Sequence, residues 1–543
     1  MIAAATLGGV LVVLLFPFLT RAFHIDDPLF IWAAKNIQKH PLDPYGFTVN
    51  WYGTVMAMSH VTKNPPIASY YIAAVASVLG WSELALHGAF LLSSVAVAIG
   101  AYLLAMRFCR SPLVASLAGV LTPVFMVSSV TVMSDMLMLA FWVFAVYFWL
   151  VGLERKNYLM LGLAAALMAV SALTKYFGMT LIPLLLLYSV VKQRRVGWWV
   201  CAFLIPIAVL AWYQWATQRL YGRGLLLDAA VYASQTHTSF GKFSIARTYV
   251  AFAFTGGCVA SVLFFARQLW SRRILLGGLA FAAAIAMLIA SMGKLGTFQL
   301  PAAGGGLLAA QLGLWGTVGI SLAALAARDA FTHRDAESLL LFVWTIGTLL
   351  FAGFVNWTTN GRSILPMVVP AGILIARRLE AVAQLRRRGL LPATVVPLAA
   401  AAVLSVAVTW ADSAFADVAR AGAIELHTRY RGSPRPLSFE GHWGFQYYME
   451  QSGGKAIDFA TAQVSPGDLI VIPSTNTNIE RLPDWVSPRD AVELPTTSWL
   501  STMNSGVGAG FYADVYGPLP FAAGAIQPEQ FVVYEVRPQT PTQ

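Results

Sequence analysis

Charge is scarce in this sequence. Asp, Glu, Lys and Arg make up 11% of the 543 residues, against about 25% in a soluble domain. A soluble chain of this length would split into several domains, and there is too little charge to coat their surfaces. Disorder is excluded by the same numbers, because 58% of the residues are hydrophobic and the mean hydropathy is +0.66. Cysteine is almost absent. Cys109, Cys201 and Cys258 lie in or beside apolar runs, which leaves no disulfide framework and no CxxC metal site. Internal repeats and long low-complexity tracts are missing as well. What remains is a chain that lipid must solvate, a polytopic membrane protein.

The positive charges that are present follow a pattern. Lys and Arg number 36 against 25 Asp and Glu, a formal net charge of +11. Six basic clusters precede the C-terminal part: Arg107/Arg110, Arg155/Lys156, Lys192/Arg194/Arg195, Arg267/Arg272/Arg273, Arg328/Arg334 and Arg377/Arg378/Arg386/Arg387/Arg388. Each interval between neighbouring clusters has room for two apolar helices. With all six clusters cytoplasmic, the intervals are five hairpins: 112–132 with 136–152, 158–174 with 177–191, 197–215 with 248–266, 274–291 with 305–327, and 338–354 with 363–376. Spans 2–20, 84–106 and 390–410 bring the expected total to thirteen. The N-terminus is then inside and the C-terminus outside, the orientation that basic inner loops set. The first run carries no basic leader and no small-residue cleavage site, and reads as a retained helix. Residues 66–80 are too short to span and read as a juxtamembrane helix at the outer interface. The 177–191 run is equally short and contains Pro183. It is kept as a span because Lys192 to Arg195 would otherwise face outward.

Composition changes after residue 410. Residues 411–543 carry 8 basic and 14 acidic side chains, and Gly, Ser, Pro and Asn rise. Strand-like runs at 468–473 and 531–536 alternate with a helix candidate at 442–451, which predicts a small α/β domain outside the membrane. No dinucleotide or P-loop glycine motif lies in it. The expected division is a transmembrane domain of 1–410, with a first outer loop at 21–83, followed by an extracytoplasmic α/β domain of 411–543. Basic charge sits on membrane loops, so no nucleic-acid partner is expected. On the expected outer face before residue 411, basic residues still outnumber acidic ones, 11 to 6. This is either snorkelling at the interface or the handling of an anionic substrate.

The first outer loop is the richest in chemistry. Asp26 and Asp27 follow directly on the first span. Asp27 before Pro28 has the form of an N-cap with proline at the first helical position. Two adjacent carboxylates also repel each other and raise one pKa, which suits a general base. His24 stands as a partner of Asp26 or as an interfacial residue. No further His or Cys completes a metal set. Lys175, Arg247 and Arg362 lie at outer ends of spans and Lys63 lies late in the first outer loop, where they either anchor the interface or bind phosphate. Asp135 either caps the positive end of its helix or lines a site. Trp51, Tyr52 and Trp357 fit an interfacial aromatic belt. The aromatic run 442–448 fits core packing better than acceptor recognition.

These residues together resemble the GT-C glycosyltransferases, in particular the family 39 protein O-mannosyltransferases and the lipid A aminoarabinose transferases. Those enzymes place Asp-Glu after the first helix, and the Asp contacts the acceptor. Asp26 matches that Asp, and Asp27 stands in place of the Glu. Lys63, Asn64, Pro65 and Pro66, followed by Tyr70 and Tyr71, resemble their Lys-Pro-Pro segment, with Asn64 inserted. Ser134-Asp135, Leu173 to Lys175, and Gly361-Arg362 before Leu365, Pro366 and Pro370 also fit. The resemblance covers roughly residues 1–410.

It implies an inverting transfer of a sugar from a polyprenyl phosphate to a glycan, lipid or protein acceptor at the outer face of the cytoplasmic membrane. Asp26 and Asp27 would be catalytic, and Lys63, Lys175, Arg247 and Arg362 would hold the donor phosphate. His24 and Asp135 would line the site. The group includes metal-independent members, so no metal or other cofactor is expected. A lipid-linked sugar flippase or transporter, and an oligosaccharide ligase or polymerase, are the alternatives. Charges at span ends and the lack of a repeat count against a transporter.

Overall fold

The computed structural model describes residues 2–235, 240–241, 244–386, 391–433, 435–461 and 464–538, without the side chains of 385–386 and 391–393. Arg387 and Arg388 of the last basic cluster lie outside the described residues, as does part of the 216–247 loop.

Apolar helices dominate, as lipid solvation requires, because a helix satisfies its backbone groups internally. Among the described residues, eight helices are long and apolar enough to cross a membrane, or ten if each of two bent pairs is one span. Among the described residues, each of the thirteen expected spans coincides with one helix or a succession of helices, but they are not thirteen straight membrane-length rods. Expected spans 2–20 and 158–174 are the shorter apolar helices Ile2–Phe18 and Tyr158–Thr174. The helix Val368–Arg386 carries Arg377, Arg378 and Glu380 along its second half.

Expected span 112–132 is Pro112–Val120 and Pro123–Ser129, bent by 70°. Pro123 forces Thr122 into an extended conformation and ends the first helix. Expected span 248–266 is Ile245–Cys258 and Ser261–Leu269, bent by 88°. Its first half lies so close to Gly305–His333 that a Cβ on Gly256 would stand 1.9 Å from the Trp315 carbonyl oxygen. One on Gly319 would stand 2.0 Å from that of Phe252. Small residues permit this approach of two backbones.

The two short runs separate on length. Ile67–Leu79 has 13 residues, about 20 Å of helix at ~1.5 Å per residue, less than the bilayer core. Tyr176–Thr180 continues into Leu181–Gln193, and together they form an 18-residue candidate span. Pro183 falls in the first turn of the α-helical part, where no intrahelical donor is lost.

The 21–83 segment contains the helix Asp27–Lys39 and a hairpin, Thr48–Asn50 with Val55–Ala57, that the sequence pattern did not announce. The composition break at residue 410 falls inside one long helix, Leu391–Arg429. Beyond it, the strands Lys455–Ala456, Ser438–Phe439, Leu469–Pro473, Glu529–Val536 and Val486–Leu494 form a five-stranded sheet in that spatial order. Its first three strands run parallel, and the last two pair antiparallel.

The sheet shares the core of the helical bundle. Phe445 stacks on Phe531 at 5.2 Å, and a Cβ on Gly422 of the long helix would meet the Phe531 ring at 2.5 Å. Trp51 is buried, with its ring 5.5 Å from that of His442 and 6.0 Å from that of Trp32. It is a core residue, not a member of an interfacial belt, because the hairpin turn that carries it docks on the sheet region. There Phe459 N donates to Gly53 O, and Gln446 Nε2 donates to Asn50 O.

Candidate active site

The segment 20–27 is held from several sides by the C-terminal region. Arg21 pairs with Asp412 at 2.9 Å, both side chains fully buried. Asp412 also accepts from Thr502 Oγ1 at 2.7 Å and from the Tyr512 hydroxyl at 2.9 Å. Asp417 accepts from Ala22 N. The Tyr448 hydroxyl accepts from Phe23 N at 2.7 Å and donates to Glu83. The backbones touch as well, since a Cβ on Gly444 would lie 2.0 Å from Phe23 O. So constrained, Ile25 takes φ +45°, a left-handed conformation that a β-branched residue rarely adopts. This turn sends the two neighbouring carboxylates in different directions.

Asp27 points inward and is fully buried. Its carboxylate accepts from His24 N at 2.8 Å and from Val132 N at 2.9 Å. It therefore ties its own loop to the loop before the helix Ser134–Glu154. The expected cap geometry is corrected. Asp26 occupies the N-cap position, makes no side-chain cap bond, and leaves Asp27 inside the helix. Burial raises the Asp27 pKa to about 7, opposed by Arg21 and the two backbone donors, and Asp26 contributes least. The dominant cause is loss of water rather than repulsion between the acids.

Asp26 points the other way, toward Arg362, whose Nη1 donates to Asp26 Oδ2 at 3.0 Å. Arg362 lies in the short helix Gly361–Ile364. The Gly361 amide bonds Phe511 O, and the Arg362 guanidinium lies over the Tyr512 ring at 5.5 Å. Nη1 also contacts Met133 Sδ. Close by, the Lys175 ammonium pairs with Asp135 at the facing ends of two adjacent helices. Lys175 couples electrostatically to both Arg362 and Asp26. Asp26, Arg362, Lys175 and Asp135, remote in sequence, thus form one charged cluster at one end of the bundle.

His24 is buried, with its ring edge-on to Phe415 and Tyr512. The expected partnership with Asp26 is corrected, because the His24 ring packs on Phe415 and Tyr512 with Asp412 as its acidic neighbour, and its backbone amide bonds Asp27. Burial lowers its pKa to about 3, against the attraction of Asp412 and with help from Arg21 and Arg362.

Lys63 belongs to an adjoining group. It bonds Asp228 at 2.7 Å and lies 5.3 Å from the Tyr232 ring. Arg223 pairs with the other oxygen of Asp228. Tyr52 and Tyr232 interact with each other and with the charge of Asp26, which joins this group to the first. Arg247 is buried and donates to Asn356 O at 3.0 Å, within the electrostatic reach of Asp514. Asp514 in turn accepts from Thr359 N and donates its own amide to the Thr358 hydroxyl, next to Arg362 in sequence. Tyr512, Asp412, Arg223 and Asp228 were not singled out in the sequence, where nothing in their spacing links them to Asp26.

The fold of this chain is GT-C. The structure of ArnT from Cupriavidus metallidurans bound to undecaprenyl phosphate superposes with a TM-score of 0.53 at 15% identity, covering 87% of this chain and 93% of that one. The apo oligosaccharyltransferase of Archaeoglobus fulgidus gives 0.50 at 13% identity, covering 84% of this chain and 64% of that one. Residues 63–215 match the family model described as dolichyl-phosphate-mannose-protein mannosyltransferase. A search of the curated proteins found no match.

The cluster has two chemical capacities. The Asp26 carboxylate accepts a proton or orients a hydroxyl. The guanidinium and ammonium groups around it stabilise negative charge on an oxyanion, and a partly water-excluded setting strengthens that effect.

Proposed function

We propose that the protein is a membrane glycosyltransferase that moves a sugar from a polyprenyl phosphate to an acceptor hydroxyl at the outer face of the cytoplasmic membrane. The observation that carries this reading is the Asp26–Arg362 pair with Lys175 beside it. It brings an acid and two cations within reach of one reacting centre.

In this mechanism Asp26 takes the proton of the acceptor hydroxyl. The hydroxyl oxygen attacks the anomeric carbon from the face opposite the phosphate, and the carbon–oxygen bond to phosphate breaks. The electron pair leaves with the phosphate, so the configuration inverts. Arg362 and Lys175 stabilise the growing charge on the leaving oxygen, and Lys63 and Arg247 hold the rest of the phosphate. Asp27, buried and bound to two backbone amides, positions Asp26 from behind. Asp135 keeps Lys175 charged and oriented. The cations come from the chain itself, so transfer requires no divalent metal and proceeds in excess EDTA.

The test is Asp26→Asn, purified and given a polyprenyl-phosphate sugar. The expected loss of turnover is about 10²–10⁴-fold, the range for a positioned base, with lipid-phosphate binding retained. Unchanged transfer sinks the assignment of Asp26.

A further inference from the structure

Away from the charged cluster, a cleft of about 740 Å³ opens between the start of the helix Gly305–His333 and the sheet region. Its size lies within the range of small-molecule sites. Two features of the sequence build it. Gln311 holds the segment before the last strand to the helix: its side-chain amide exchanges two hydrogen bonds with the Ala523 backbone, at 2.9 and 2.8 Å. The hairpin Met503–Asn504 with Ala509–Gly510 packs on the same helix through Gly508, where a Cβ would meet Leu308 at 2.7 Å. The turn of that hairpin and the segment 523–530 form two walls.

The lining mixes small and apolar residues with polar ones, and its charge is of one sign. Ser474, Thr475, Asn504 and Gln527 offer hydroxyl and amide groups, and the charged side chains among the described lining residues are Glu493 and Glu529. No Lys or Arg is among them. Glu529 is buried and fixed, accepting from Ser474 Oγ at 2.8 Å and from Thr475 N at 2.6 Å. Glu493 accepts from Gln530 Nε2 at 2.8 Å. The amides at the helix start would favour an anion, but the two carboxylates oppose one. Fixed hydroxyl, amide and carboxylate groups suit a ligand that presents many hydroxyls and no negative charge.

The cleft also shares a wall with the region behind the charged cluster. Thr475 and Glu529 belong at once to the cleft and to a second, water-sized cavity of about 20 Å³, whose wall includes His24. His24 lies two residues before Asp26.

We propose that this cleft binds an uncharged, polyhydroxylated chain, a neutral glycan, and so seats the acceptor side of the reaction. Its role as an acceptor seat rests on the transferase reading above; its binding of glycan does not. The charge distribution divides the labour: cations around Asp26 attract the phosphate-bearing donor, and glutamates at the cleft turn such a group away.

The test uses the full chain in nanodiscs on an array of neutral, amine-bearing and phosphorylated oligosaccharides together with cationic peptides. Retention is expected on neutral glycans. Ser505→Trp, an exposed turn position that fills the cleft, should lower it at least tenfold. Gln527→Ala should lower it several-fold. Absence of retention on every neutral glycan, indifference to Ser505→Trp, or a preference for phosphorylated glycans or peptides overturns the proposal. Array binding needs no turnover. A chain that transfers sugar but binds no neutral glycan therefore overturns only the cleft, whereas one that binds glycan but transfers nothing overturns only the transferase reading.

Discussion

The Asp26 carboxylate lies 3.0 Å from the Arg362 guanidinium, although 336 residues separate them in the chain. Arg362 is held on its other side by the Tyr512 ring, and the Tyr512 hydroxyl is anchored on Asp412. The site therefore depends on a segment beyond the transmembrane helices. Arg362→Gln should lower turnover about 10²–10³-fold, the loss typical of removing one preorganised charge stabiliser. Arg362→Lys should fall between Gln and wild type, because the charge survives but the flat group on Tyr512 does not. Steady-state rates with a polyprenyl-phosphate sugar decide this, and equal rates for the three proteins contradict it.

Asp412 holds Arg21 in a place that water does not reach. Asp412→Ala leaves a buried guanidinium unpaired and should cost about 3–5 kcal/mol of stability. Arg21→Met combined with Asp412→Leu should recover most of that loss, since the apolar pair buries no charge. Thermal unfolding in detergent measures both. A double variant no more stable than Asp412→Ala would show that the pair does more than neutralise itself.

Asp27 makes stability depend on pH. Its carboxyl titrates at about 7 in the folded chain, raised from 3.8 by burial. Between those values the folded state binds more protons than the unfolded state, so this group's contribution falls as pH rises from about 4 to about 7. Asp27→Asn removes the slope and loses one of the two acceptors for His24 N and Val132 N. The stability difference between wild type and variant should therefore shrink from pH 4 to pH 7 and stay level above it. Unfolding midpoints of both proteins across that range provide the check, and a gap that widens with pH refutes the assignment.

Much of this was legible in the residues. Apolar runs and the basic clusters that punctuate them located the long helices of the bundle, since both the lipid and the loop charges act locally. The acids and cations of the cluster stood out because polar groups at span ends are few. What stayed hidden depends on contacts between remote segments. The 70° bend at Pro123 and the 88° bend after Gly256 are set by how helices pack, and hydropathy is blind to packing. Tyr512 sits in an irregular stretch with no period, and its position comes from Asp412, His24 and Arg362, all remote in sequence. The opposite orientations of Asp26 and Asp27 come from the strained φ of Ile25, which no neighbouring residue type encodes.

Lys63 offers a test of the donor side. Burial, with Arg223 adding to it, lowers its pKa to about 8, so its charge is lost as pH rises through that value. Binding of polyprenyl phosphate should weaken above pH 8 in the wild type. Lys63→Arg should remove the fall, because a guanidinium stays protonated throughout. Asp228 now neutralises both Lys63 and Arg223, and it competes with any phosphate for them. Asp228→Asn should consequently tighten binding several-fold at pH 7. Titration of the lipid phosphate into each protein between pH 6.5 and 9.5 measures these affinities. If Asp228→Asn weakens binding instead, the Asp228 carboxylate is there to hold Lys63 and Arg223 in position, and it does not shield them from the donor.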